Sequence, residues 1–142
     1  MQKKRNFTAD SDLAVLSETS ILFLVPLVQT AWSHGAISPR EKQLIFDAAR
    51  EDGIDERHQL NDVLDRWLVY QPSTNFFDDC LTQISELMRL MTVKERDEIR
   101  TKILSRCRSV AETAGGKSRM DVNHHISREE TELLAELQEI LK

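Results

Sequence analysis

The chain has 142 residues, 40% of them hydrophobic and 30% charged. That balance fits one compact domain with a substantial core and excludes a disordered chain. Lys and Arg number 19 against 24 Asp and Glu, a formal charge of −5, and no basic patch stands out for a nucleic-acid partner. The nearest candidate, Arg100, Lys102, Arg106 and Arg108, is mixed with Glu95, Asp97, Glu98 and Glu112 and reads as a solvated helix face.

Residues 1–10 are expected to form a disordered tail and residues 11–142 a single helical domain. Lys3, Lys4 and Arg5 ahead of the apolar run from Ile21 to Val28 imitate a secretory leader, but Asp10, Asp12 and Glu18 intervene. The run is also far shorter than the roughly 20 residues a membrane helix needs. A cytoplasmic location is therefore expected. The only two cysteines, Cys80 and Cys107, sit inside apolar helical patterns and read as buried thiols in a reducing compartment.

The segment from Asp12 to Ser33 is apolar nearly all round between Ile21 and Trp32, as a central helix would be, and Pro26 predicts a kink or a break within it. Ser38-Pro39-Arg40-Glu41 combines a capping box with Pro at the first helical position, and the helix it opens should end near Gly53. Asp55 is the expected cap of the next helix, which buries Leu60, Val63, Leu64, Trp67 and Leu68 and stops before Pro72. Ser73 or Thr74 opens a further helix, with Phe76, Phe77, Cys80, Leu81, Ile84, Leu87, Met88 and Met91 at three- and four-residue spacing. Thr92 and Glu95 form another capping box ahead of Ile99, Ile103, Leu104, Cys107, Val110 and Ala111; Gly115-Gly116 ends that helix. Ser127 caps the last helix, whose stripe is Leu133, Leu134, Leu137, Ile140 and Leu141. No strand is predicted.

Two stretches follow one template. Phe23-Leu24-x-x-Leu27-x-x-x-Ala31-x-x-x-Gly35 leads into Ile37-Ser38-x-x-Glu41-x-x-Leu44-Ile45; Ile103-Leu104-x-x-Cys107-x-x-x-Ala111-x-x-x-Gly115 leads into Ile126-Ser127-x-x-Glu130-x-x-Leu133-Leu134. Each is an apolar helix, a turn and a capped second helix. This doubled pattern resembles the TerB-like family, named for a tellurite-resistance protein, over about Leu13 to Leu141. The resemblance implies an all-α, single compact domain of six or seven helices in two pseudo-symmetric halves, with a tellurite-resistance or stress-response setting. The family's half-motif carries an acidic residue before the glycine; here His34 and Ala114 stand there, and the second turn is longer.

Three histidines, His34, His124 and His125, fall in the two turns. If the turns converge, His34, Glu41, Asp121, His125 and Glu130 form a candidate ligand set for a divalent ion such as Zn, Mn or Fe. The simpler reading keeps Glu41 and Glu130 as capping carboxylates. Gly115-Gly116-Lys117-Ser118 resembles the end of a phosphate loop but lacks the upstream glycine and follows a helix. No nucleophile, base and acid arrangement appears, so no catalytic residue is assigned and nothing argues for an enzyme. The leading expectation is a non-enzymatic helical interaction module with a protein partner. The alternatives are a metal-binding domain or metal-dependent enzyme, and a small-ligand binder around Pro26, Phe76 and Phe77. A homodimer through Met88, Leu90 and Met91 is a further expectation, from the general prevalence of two-fold assembly.

Overall fold

In the computed structural model, which describes residues 19–33, 35–115 and 128–141, every regular element is an α-helix; residues 19, 114, 115 and 128–130 are defined in backbone alone. The elements are a single turn, α1 (Thr19–Leu22), and six longer helices: α2 (Val25–Trp32), α3 (Pro39–Glu51), α4 (Gln59–Val69), α5 (Thr74–Arg89), α6 (Val93–Gly115) and α7 (Arg128–Ile140). The expected all-α class is what forms, with six longer helices among the described residues.

The predicted interruption near Pro26 is a break placed just ahead of it. Phe23 and Leu24 make a tight turn in which Leu24 N–H donates to Ile21 O at 3.0 Å, and Pro26 then falls in the first turn of α2, where its missing N–H is not needed. Helix α2 buries Val25, Pro26, Leu27, Val28, Thr30 and Ala31, and packs against α3, α5, α6 and α7. A helix enclosed on so many sides must be apolar all round, which accounts for its composition. Its one buried hydroxyl, Thr30 Oγ1, donates to Pro26 O at 2.8 Å and so is satisfied within the helix. Trp32 Nε1 donates to Trp67 O at 2.9 Å, tying the end of α2 to α4.

Helix α3 starts at the predicted capping box: Glu41 N–H donates to Ser38 Oγ at 3.2 Å and Ser38 N–H to Glu41 Oε1 at 2.8 Å. It ends at a Schellman motif, with Ile54 N–H donating to Ala49 O at 2.8 Å and Gly53 N–H to Arg50 O at 3.0 Å. Gly53 takes the left-handed φ of 95° that this motif requires, and buried Ile54 supplies its apolar contact.

The cap of α4 differs from expectation. His58 Nδ1 accepts from Leu60 N–H at 3.1 Å, so His58 is the cap, while Asp55 Oδ1 accepts from Arg57 N–H at 3.0 Å in a turn one step earlier. That backbone bond also holds the Asp55 carboxyl below its usual range. Asp55 follows the Schellman turn too closely to face the new helix, and the next acceptor along the chain takes the role. Ser73 Oγ accepts from Phe76 N–H at 3.1 Å to cap α5. Thr92 and Glu95 exchange bonds of 3.0 and 3.1 Å ahead of α6. The core runs through all six longer helices and includes Ile45, Leu64, Ile84, Cys107 and Leu137.

Candidate functional site

Of the five candidate metal ligands, only the Glu41 side chain lies among the described residues. It is fully buried, and its carboxylate accepts the Ser38 N–H of the capping box. His34, Asp121, His125 and the cap residue Ser127 lie outside the described residues, as does the Glu130 side chain, whose backbone falls in the first turn of α7. Among the described residues no group of three or more His, Cys, Asp or Glu is placed to hold a metal ion.

The cysteines are unsuited to nucleophilic work. Burial pushes the Cys80 thiol up to about 12, with the nearby Asp79 charge adding to the effect. Burial pushes Cys107 up to about 12 as well, against a smaller opposing hydrogen bond with Thr30. Thiolate is scarce at neutral pH at either position. Phe76 packs on Trp67 with ring centroids 5.3 Å apart and on Phe77 at 6.2 Å.

The basic residues of α6, expected to be one solvated face, divide into two groups. Lys102 and Arg106 cross to the end of α3. Lys102 Nζ meets Asp52 Oδ1 at 2.9 Å, Arg106 Nη1 meets Asp52 Oδ2 at 2.8 Å, and Arg106 Nη2 meets Glu51 Oε1 at 2.8 Å. Burial by itself would raise the Asp52 carboxyl; the hydrogen bonds and charges of Arg106 and Lys102 outweigh it and hold the group below its usual range. For Arg106, burial acts downward and is likewise outweighed by Asp52 and Glu51, which raise it. Sequence reasoning missed this cluster. Its signal was Asp52 itself, an acid at the negative end of a helix, which is unfavourable without a cation nearby.

Arg100 and Arg108 take the other side of α6. With Thr101, Leu104, Ser105, Leu134 and Gln138 they line a groove of about 530 Å³ between α6 and α7. Among the described residues no carboxylate belongs to this lining. Arg100 is bridged to Asp97 at 3.0 Å within its own helix, whereas Arg108 has no ion-pair partner among the described residues.

At the junction of α5 and α6, Leu90 is 85% exposed and Val93 65% exposed beside half-buried Met91, whereas Met88 belongs to the core. The junction thus presents two large aliphatic side chains to solvent. No helix among the described residues is long and apolar enough to cross a membrane. The fold and its surface define an all-α bundle with an ion-paired α3–α6 seam, a basic groove and an apolar edge. Comparison with protein-family profiles, curated proteins and solved structures finds no match.

Proposed function

We propose that this chain is a non-enzymatic, TerB-like helical interaction module that acts through protein contacts in a cytoplasmic stress-response setting. The observation that carries the reading is the Leu90–Val93 edge, where two large apolar side chains remain solvent-exposed after every helix has filled its share of the core. Exposed aliphatic groups clustered at a helix junction gain roughly 1.5–3 kcal/mol each if a partner buries them fully.

The two-hairpin organisation belongs to the same proposal, with α2–α3 as one half and α6–α7 as the other. It is supported by the equivalent template positions Leu27 and Cys107, and Ala31 and Ala111, all four of which are buried. The family assignment itself rests on the doubled sequence template.

The test replaces the edge without touching the core. The double variant Leu90→Asp, Val93→Asp is expected to keep its circular dichroism spectrum and melting temperature while losing capture of a partner from cell extract. Sedimentation velocity on the same pair distinguishes a self-association edge from one that binds a different protein. A variant that captures the same partner as wild type defeats the reading.

A further inference from the structure

We infer that the groove between α6 and α7 binds an extended acidic peptide segment of a partner protein, one carboxylate pairing with Arg100, a second with Arg108, and an apolar side chain seated between them on Leu104 and Leu134. This rests on the interaction-module reading and specifies the chemistry of the partner.

Charge is the first argument. The chain is acidic overall at −5, yet among the described residues this groove is lined by two guanidinium groups and no carboxylate. The neighbouring cations Lys102 and Arg106 are held by Asp52 and Glu51, which leaves Arg100 and Arg108 as the charges facing the groove. The Arg100–Asp97 pair is partly exposed, and such pairs contribute little, so an incoming carboxylate displaces Asp97 readily.

Spacing is the second argument. Arg100, Leu104 and Arg108 recur every four residues on one side of α6, so the two arginines are separated by roughly 12 Å along the helix with a leucine midway. In an extended peptide, residues i, i+2 and i+4 share a face and span about 13 Å. A segment of the form acid-x-apolar-x-acid therefore matches both arginines and the leucine floor in one register. The Thr101 and Ser105 hydroxyls line the same groove and are suited to donate to the peptide's carbonyls. Val93, two helical turns before Arg100, lies on this same side of α6, with Asp97 between it and the groove.

Guanidinium groups bind carboxylate and phosphate alike, so the test separates them. Fluorescein-labelled Gly-Glu-Ser-Leu-Ser-Glu-Gly is titrated with the full chain at low salt and followed by anisotropy, beside the same peptide with both Glu replaced by Gln. Saturable binding is expected for the acidic peptide, with loss for the Gln peptide. Affinity should fall roughly three- to ten-fold in Arg100→Gln, Arg108→Gln, since each partly exposed pair contributes modestly and two are removed together. Arg108→Gln alone, at an exposed position, provides a second readout should the double variant melt early. No saturable binding, equal affinity in wild type and arginine variants, or tighter binding of inorganic phosphate or a short single-stranded oligonucleotide would each overturn the assignment. Absent peptide binding together with partner capture that depends on Leu90 and Val93 overturns the groove and leaves the interaction reading standing.

Discussion

Arg106 Nη1 lies 2.8 Å from Asp52 Oδ2, and this contact fastens the C-terminal end of α3 to the middle of α6. The two side chains are only 15% and 10% exposed, so neither charge is well served by water if the other is removed. Asp52 also stands where the α3 dipole is negative, and Arg106 and Lys102 offset that repulsion.

Asp52→Ala is therefore expected to destabilise the fold by about 1–3 kcal/mol, because it leaves Arg106 partly buried with its strongest partner gone. Urea unfolding at neutral pH measures it. Arg106→Met should cost less than the simple sum of losses predicts, since its aliphatic body still covers the seam. A double-mutant cycle showing no coupling between the two positions would contradict the role given to the pair.

The same pair sets an acid dependence. The Asp52 carboxyl is depressed in the folded state, so its stabilising contribution is fully present above the unfolded value near 3.8 and is lost as pH falls through the lower folded value. The stability gap between wild type and Asp52→Asn should be constant from pH 7 to 5 and close below about pH 4. A gap that persists unchanged at pH 2 would mean the carboxylate's charge is not what matters.

Gly53→Ala meets no atom, because nothing lies within 4 Å of the added Cβ, yet φ is 95°. The cost should be purely conformational, about 1 kcal/mol, with Gly53→Asn milder. Thermal melts of the two variants decide this, and an Ala variant as stable as wild type would show that the Schellman turn relaxes freely.

Cys80 and Cys107 should both resist iodoacetamide at pH 8 in the native protein and react once it is unfolded, since burial pushes each thiol to about 12. Rapid native labelling of either by mass spectrometry would show that the core opens locally.

Glu41 is already engaged in its capping box, so elemental analysis of untagged protein is expected to find no stoichiometric metal. Near-stoichiometric zinc, manganese or iron that disappears in His34→Ala, His125→Ala would instead establish the two-turn site and displace the interaction reading.

What the amino-acid sequence determined by itself is local. The helical stripes, the capping boxes at Ser38–Glu41 and Thr92–Glu95, the end of α3 at Gly53 and the break beside Pro26 follow from periodicity and backbone chemistry within a few residues. Even here, two acceptors close together, Asp55 and His58, competed for one helix start, and the geometry of the preceding turn chose His58. What only the tertiary structure decided is which faces meet. The basic residues of α6 look like one mixed-charge run in sequence, but packing against α3 binds Lys102 and Arg106 to Asp52 and turns Arg100 and Arg108 toward α7. Met88 fills the core while Leu90, two residues on and therefore on the opposite face, is left to solvent, because among the described residues no neighbouring helix crosses over the end of α5 on that side. Helical periodicity specifies the stripe on each helix, while the angle at which two helices cross, which no short window encodes, specifies the surface left over.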